Sequence, residues 1–327
     1  MDERGLGRTG LPLTALGLGL AALGRPAYIT AGRDVDLGTQ RDPGSMEQRA
    51  HEVLNAAFDA GIRYFDVARS YGLAEVFLAD WVNTRGLAPG AITIGSKWGY
   101  TYVGEWRTDA AVHEVKDHSL GALRRQVAET RAILRDHLSL YQIHSATLES
   151  GVLGDREVLR ELVRYREAGL VVGLTVSGPR QAEVIRVALD AAVDGLSPFS
   201  SVQATWNILE PSCGPALAEA GDAGWGVIVK EGVANGRLTP YGTDPRRPPL
   251  RNIAERHHTS ADQVALAAAL AQPWADVVLS GAVTVDELGS NVAATRLVLG
   301  QAELDGLAEL AEPPDEYWRA RSELPWT

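Results

Sequence analysis

The sequence predicts an α/β protein built as a (β/α)8 TIM barrel, with an N-terminal β-hairpin capping one end and long loops at the C-terminal face. Three observations carry that prediction. Strand-like apolar runs alternate with helical patterns along the 327 residues, the order expected of a parallel sheet wrapped by helices. The one glycine cluster placed to open a doubly wound sheet, Gly17-Leu-Gly19, continues through Leu-Ala-Ala-Leu to Gly24 and then a long loop, so the G-x-G-x-x-G turn that should lead straight into a helix fails. Asp66, Lys97 and His144 each close an apolar run and Tyr71 follows one, and barrels of this kind take their chemistry from the C-terminal ends of different strands. Length and 45% hydrophobic content suit one domain over residues 1–327.

Arg4 to Thr14 carries Gly5, Gly7 and Gly10 among short apolar pieces and reads as the hairpin. Strand one is Ala15 to Gly19. Helix one, Met46 to Ala60, has Ala50, Val53, Leu54, Ala57 and Phe58 at helical spacing, and Gly61 stops it as a C′ glycine. Strand two, Ile62 to Asp66, leads to helix Ala74 to Val82, and strand three, Ile92 to Lys97, to helix Leu120 to Leu134, whose Leu120, Leu123, Val127 and Leu134 form one stripe. Strand four, Leu138 to His144, precedes helix Asp155 to Ala168, and strand five, Val171 to Val176, precedes helix Arg180 to Asp190. Ser200 to Thr205 is strand six, followed by a weak helix near Ala216 to Ala220, and Gly226 to Lys230 is strand seven. The seventh helix begins near Ser260, whose hydroxyl suits an N-cap, and strand eight, Val277 to Ser280, precedes helix Asp286 to Ala294.

Composition excludes several partners. There are 31 basic and 42 acidic side chains, giving 31 − 42 = −11, and no Lys or Arg run that would track a phosphate backbone, so neither nucleic acid nor an anionic membrane is expected. The single cysteine, Cys213, has no internal partner, and Met1-Asp-Glu-Arg lacks the apolar region of a secretory signal; a reducing cytoplasm is the expected location. The most apolar stretch, Ala261 to Ala271, is interrupted by polar residues well short of the roughly 20 residues a membrane span needs. His257 and His258 are adjacent, so their side chains diverge, and no metal site is expected. A small molecule is the expected partner, and no feature fixes an oligomeric state.

Three strand-to-helix loops are long: Leu20 to Ser45, Gly99 to His118 and Glu231 to Thr259. Long loops in a compact domain are usually functional. They carry Tyr28, Tyr100, Tyr102, Trp106 and Tyr241; with Trp98 at the end of strand three, Tyr28, Tyr100 and Trp106 are candidate substrate walls, against the plainer reading of packing anchors.

Reduction of a carbonyl by hydride needs a proton for the oxygen. Tyrosine, with a reference pKa near about 10, is a poor acid or base at neutral pH unless an ammonium favours its phenolate and a carboxylate holds that ammonium in place. Tyr71, Lys97 and Asp66 supply those parts, and His144 can orient the carbonyl and share proton traffic. Each alone reads equally as a loop hydrogen-bonder, a packed ring, a surface charge or a satisfied histidine; their joint placement at strand ends is the stronger signal.

The chain resembles an aldo-keto reductase. The carrying motifs are Gly61-Ile-Arg-Tyr-Phe-Asp66-Val-Ala-Arg-Ser-Tyr71-Gly72 with Glu75, Ser96-Lys97-Trp98-Gly99, Leu140-Tyr-Gln-Ile-His144, Gly173-Leu-Thr-Val-Ser177, Ser201-Val-Gln203 with Asn207, Ala234-Asn-Gly236-Arg-Leu238, and Ser280-Gly281 with Asn291. The resemblance implies an NAD(P)(H)-dependent oxidoreductase acting on a small polar metabolite, with Tyr71 as acid/base supported by Asp66, Lys97 and His144. It implies a nicotinamide cofactor, NADP or NAD, extended across the barrel mouth, its carboxamide held by Ser177 and Gln203 and its far end near Gly281 and Asn291. Gln203, polar in an apolar strand, independently favours function because a buried amide needs partners.

Three positions depart from the family pattern. Gly178 stands where an asparagine usually touches the nicotinamide. Lys230, with Glu231 and Gly232 after it, stands where an aromatic residue usually stacks on the nicotinamide, so it either contacts an anionic group or forms a surface pair with Glu231. After strand eight, Ser280 to Glu287 contains no basic residue for a 2′-phosphate, and Glu287 would repel one while accepting from a ribose hydroxyl; tolerance of NAD follows. Sugar-lactol dehydrogenases of the family are one alternative, and a cofactor-binding sensor or regulatory barrel with little turnover is another. A phosphate-binding isomerase is a third, for which Gly232 and Gly236 are a faint cradle.

Overall fold

The chain opens with an antiparallel hairpin, β1 (Glu3–Gly5) and β2 (Pro12–Thr14), in a computed structural model that describes residues 1–242 and 248–327, without the side chains of residues 33 and 34. The predicted loop over Glu231 to Thr259 therefore lies partly outside the described residues. Leu6 and Leu13 of the hairpin segment are fully buried against Tyr64, Leu140, Ile228 and Val277, so the hairpin plugs the N-terminal end of a barrel. Gly7 makes this possible, because its φ is +49° and a Cβ there would stand 2.4 Å from the Trp225 backbone.

Eight parallel strands close the barrel: β3 (Leu16–Gly19), β4 (Tyr64–Asp66), β5 (Thr93–Trp98), β8 (Leu138–Ala146), β9 (Val171–Val176), β10 (Ser201–Thr205), β11 (Gly226–Lys230) and β12 (Val277–Ser280), each paired with its sequence neighbours and β12 with β3. Two more strands, β6 (Tyr100–Tyr102) and β7 (Glu114–Lys116), form an antiparallel hairpin inside the second long loop. Helices surround the barrel: α1 (Arg33–Leu37), α2 (Pro43–Asp59), α3 (Ala74–Arg85), α4 (Leu120–Leu134), α5 (Arg156–Glu167), α6 (Gln181–Asp190), α7 (Gly214–Asp222), α8 (Pro248–Arg256), α9 (Ala261–Leu270), α10 (Val285–Ala294), α11 (Gln301–Ala308) and α12 (Pro314–Ser322). Among the described residues no helix is long and apolar enough to cross a membrane.

Local chemistry sets the helix ends. Asp42 accepts from Ser45 N (3.1 Å) to cap α2, which stops at Gly61 with φ +94° as the C′ glycine the sequence predicts. Asp155 caps α5 through Glu157 N and Val158 N (3.0 and 3.1 Å). Ser260 does occupy the N-cap position of α9, yet its hydroxyl makes no cap bond and instead faces Ser290 Oγ at 3.4 Å. The strands are too short to reveal the β6–β7 hairpin by periodicity, and α11 and α12 follow the last predicted unit.

Two glycines fix the mouth of the barrel. A Cβ on Gly24 would lie 2.3 Å from the Tyr71 carbonyl oxygen, and one on Gly72, whose φ is +59°, would lie 2.4 Å from the Gly24 oxygen. Leu73 N donates to that same oxygen at 2.8 Å. The loop after β3 and the turn after β4 thus touch backbone to backbone, which only glycine permits. Gly24→Ala is expected to lower stability by roughly 1–3 kcal/mol through overpacking, read as a lower denaturant midpoint; an unchanged midpoint contradicts the close approach.

Candidate active site

Asp66 ends β4, Lys97 lies near the end of β5 and His144 near the end of β8. Side chains alternate across a strand, so Lys97 faces the barrel interior while Trp98 beside it faces the helix layer. There Trp98 is fully buried with Leu123, Val127 and Tyr141. This corrects its assignment as a substrate wall: one residue of strand register separates the two faces. At His144 the pairing of β8 with β9 skips from Ile143 to Ala146, and Ser145 takes φ +51°, a bulge of the kind that re-aims side chains at barrel rims.

The Lys97 ammonium contacts the Asp66 carboxylate directly and donates to the Val67 oxygen at 2.9 Å. The other Asp66 oxygen accepts from Gln203 Nε2 (3.0 Å) and the Tyr64 hydroxyl (3.2 Å). The Gln203 amide, expected toward a cofactor, thus gives one donor to Asp66 while lining the cavity. Lys97 Nζ sits 4.7 Å from the centre of the Tyr71 ring, and the His144 ring meets Tyr71 edge-on at 5.4 Å. The four sequence-predicted residues therefore converge.

Their electrostatics differ from the sequence expectation in one respect. Lys97 was expected to draw the Tyr71 phenol down, but its charge is committed to Asp66. Burial, then the Asp66 carboxylate, pushes Tyr71 well above the ordinary tyrosine value, with Arg25 opposing. The phenol is neutral and holds its proton. Burial, then the cations Lys97, Arg25 and Lys230, holds His144 well below the usual histidine range, so its imidazole is neutral too. Its Nδ1 faces Ser70 Oγ at 3.4 Å.

A cavity of about 470 Å³ runs from Asp66, Tyr71 and Gln203 past Lys230 and Gly232 to Gly281, Glu287, Ser290 and Asn291, a size suited to a small ligand or cofactor. The long loops roof it: Ala31 N donates to Asn235 O (3.0 Å), Asn235 Nδ2 to Ile29 O (2.9 Å), and the Tyr241 hydroxyl to Asp36 (2.7 Å). Gly281 leaves its backbone bare, since a Cβ there would meet no atom within 4 Å, and Asn291 Nδ2 is held by Ser280 Oγ at 2.8 Å. Glu287 closes a capping box on α10, accepting from Val283 N and Thr284 N at 2.8 and 3.2 Å. Asp36, Asp66, Glu231, Asp262 and Glu287 make five acidic lining residues against one basic residue, Lys230, among the described ones. Ser177 lies one residue past β9, half-buried and outside this lining. Gly178 has φ +93°, a conformation that glycine adopts most readily.

Lys230 does not form a surface pair with Glu231. Its ammonium donates to Thr205 Oγ1 at 2.7 Å and lies 3.9 Å from Glu231, with the two side chains only 16% and 7% exposed. Burial, opposed by Glu231, draws Lys230 down to about 8. Glu231 is clamped by Arg321 of α12, whose Nε donates to Oε2 at 2.9 Å, and accepts from Thr205 Oγ1 at 3.1 Å.

On the other side of Tyr71 stand residues that no motif indicated. The guanidinium of Arg25, 2% exposed, lies 5.2 Å over the Tyr71 ring and 5.1 and 5.0 Å over Tyr28 and Trp326. Trp326 stacks on His113 (4.2 Å) and bridges Ile29, while Tyr28 and Thr327 exchange backbone hydrogen bonds at 3.1 Å. Tyr100 packs 5.0 Å from His144. Arg25 thus links the Tyr71, Tyr28 and Trp326 rings; Tyr28 lines the cavity with Tyr71, whereas Tyr100 and Trp326 line a neighbouring depression with His113 and Glu114. Trp106 is an anchor, its indole donating to Arg41 O at 2.6 Å and its ring packing on Phe77.

A sequence model of the Aldo/keto reductase family matches residues 16–312. Norsolorinic acid reductase A of Aspergillus parasiticus is 27% identical over 285 residues, covering 80% of this chain and 71% of that protein. Pyridoxal 4-dehydrogenase of Microbacterium luteolum is 28% identical over 226 residues, 58% of this chain and 59% of that one. In fold, the chain superposes on an aldo-keto reductase of Bacillus halodurans, solved in its holo form, with a TM-score of 0.70 at 22% identity over 96% of this chain and 97% of that one.

Glu231 contributes a pH-dependent term. Burial raises its pKa, but the charges of Arg321 and Lys230 and the hydrogen bonds from Arg321 and Thr205 win and bring it from 4.5 to about 2. A depressed carboxylate stabilises the fold fully above its unfolded value and loses that contribution as pH falls toward the folded one. Arg321→Ala is expected to cost roughly 3–5 kcal/mol at neutral pH by stranding a buried charge, and to flatten the stability loss between pH 4.5 and about 2. Denaturant melts across that window check it; parallel wild-type and variant curves contradict it.

Proposed function

The chain belongs to the aldo/keto reductase family, and on that premise we propose that it interconverts an aldehyde or ketone with its alcohol on a small polar metabolite, with Tyr71 as general acid/base. Family membership makes it an oxidoreductase acting on C=O and CH–OH groups. The observation that carries the finer reading is the Tyr71 phenol lining the cavity, with the His144 ring edge-on to it at 5.4 Å and a buried Lys97–Asp66 contact beneath it.

When bound, the nicotinamide cofactor supplies or accepts the hydride. Gln203, Lys230, Gly281, Glu287 and Asn291, which line the cavity, are the residues that would hold it. Tyr71 gives its proton to the carbonyl oxygen, and His144, kept neutral at ordinary pH by burial and the nearby cations, orients that oxygen by hydrogen bond. Lys97 and Asp66 hold one another and fix the floor on which Tyr71 rests. The substrate sits against Tyr28, an aromatic ring that lines the cavity together with Tyr71, a setting suited to a planar ring; norsolorinic acid and pyridoxal, for which two of the relatives are named, are aromatic. The acidic lining supports use of NAD(H) at least as readily as NADP(H). A cytoplasmic location fits the lone, buried, unpaired Cys213.

Tyr71→Phe is expected to lower kcat/KM for reduction of 4-nitrobenzaldehyde by at least about 100-fold while leaving NADH affinity within about threefold, because the hydroxyl acts on the transition state. Wild-type turnover by that variant rejects the assigned acid. Glu287→Gln keeps the capping box, since glutamine serves at that position, and is expected to move the NADH-to-NADPH affinity ratio a few-fold toward NADPH in calorimetric titrations. An unchanged ratio removes Glu287 from cofactor choice.

A further inference from the structure

Two buried cations lie against the Tyr71 ring, each with its own carboxylate: Lys97 with Asp66, and Arg25 with Glu114. The place of Arg25 is built. Nε donates to Ala21 O at 3.0 Å, and Nη1 donates to Ser70 O at 3.2 Å and to Glu114 Oε1 at 2.7 Å. The guanidinium plane is thus tied to the loop after β3, to the residue before Tyr71, and to β7, with its carbon 5.2 Å from the Tyr71 ring centre. Its Nη2 makes no hydrogen bond among the described residues.

We propose that Arg25 is the positioning residue that stabilises the Tyr71 phenolate during proton transfer, with Glu114 as the counter-charge that sets how strongly it does so. This rests on the reading of Tyr71 as the acid/base. As hydride reaches the carbonyl carbon, the Tyr71 O–H bond breaks, an O–H bond forms on the substrate oxygen, and the electron pair stays on the phenolate until solvent returns the proton. In the oxidative direction the phenolate accepts the alcohol proton. Either way a negative charge appears on a buried ring. A fixed guanidinium about 5 Å away stabilises such a charge without reorganising.

The other groups around the phenol do not replace it. From β4, Asp66 disfavours the phenolate, and Tyr64 adds no positive charge. From β5, Lys97 lies 4.7 Å from the ring centre and shares the task, but its carboxylate partner, Asp66, is the one that opposes the phenolate most strongly. From β8, His144 is neutral, and from the end of β11, Glu231 opposes the phenolate as Glu114 does. Tyr28, in the same loop as Arg25, is itself pushed up by burial.

The test is the pH profile of 4-nitrobenzyl alcohol oxidation with NAD, which rises as Tyr71 ionises. In Arg25→Gln, which keeps hydrogen-bond donors but not charge, the rising limb should move to higher pH and kcat at neutral pH should fall about 10- to 100-fold, with NADH affinity within about threefold. Arg25→Lys should restore most of the rate. Glu114→Gln should move the limb the opposite way, to lower pH, an effect that loss of packing does not produce. Ultraviolet absorbance at 295 nm, taken as the difference between each protein and its Tyr71→Phe counterpart across pH, reads the same ionisation without turnover. Unshifted limbs and unshifted ionisation in Arg25→Gln and Glu114→Gln, with Tyr71→Phe inactive, overturn the role of Arg25 alone. An active Tyr71→Phe overturns the reading beneath it.

Discussion

The buried contact between Lys97 and Asp66 is the constraint around which the barrel mouth is arranged. Either charge buried alone would cost on the order of several kcal/mol, so each requires the other. The other Asp66 oxygen also takes two donors, Gln203 from β10 and Tyr64 from its own strand. Three strands, β4, β5 and β10, are thereby tied across the barrel axis at one height. Tyr71 lies above this knot, and its environment follows from it: because Lys97 is consumed by Asp66, burial rules the phenol and keeps it protonated.

Around that floor the structure adds charges from outside the barrel. Arg25 enters from the first long loop, Glu114 from a hairpin in the second, and Glu231 from the third, clamped by Arg321 of the C-terminal helix. Backbone contact at Gly24 and Gly72 holds the first loop against the Tyr71 turn, so the position of Arg25 and that of the phenol are set by the same two glycines. The same loops roof the cavity and expose an acidic wall. Fold and electrostatics therefore share a few loop contacts rather than the strands alone.

Much of this was legible in the sequence, and the reasons are local. The eight strands and most helix boundaries are encoded by periodicity and by caps such as Asp155 and Gly61. Asp66, Tyr71, Lys97 and His144 could be found because strand ends point at one rim. Trp98 was misplaced although alternation with Lys97 sends it to the helix layer. Arg25, Glu114 and Trp326 carried no signal: Arg25 and Glu114 are 89 residues apart, in loops whose course sequence periodicity does not constrain. For Lys230 the sequence left open a contact with an anionic group or a surface pair with Glu231, because Arg321, which takes most of Glu231, comes from a helix 90 residues further on.

The central claim is that the trough beside Tyr71 is a nicotinamide site. Its most direct test is titration of the purified wild-type protein with NADH and with NADPH, following quenching of tryptophan fluorescence. Saturable quenching, with NADH binding at least as tightly as NADPH, is the result expected of an open Gly281 backbone and an acidic far wall. No saturable quenching by either, together with no protection against thermal unfolding, would contradict it and leave a barrel that holds the four residues without the cofactor chemistry they serve.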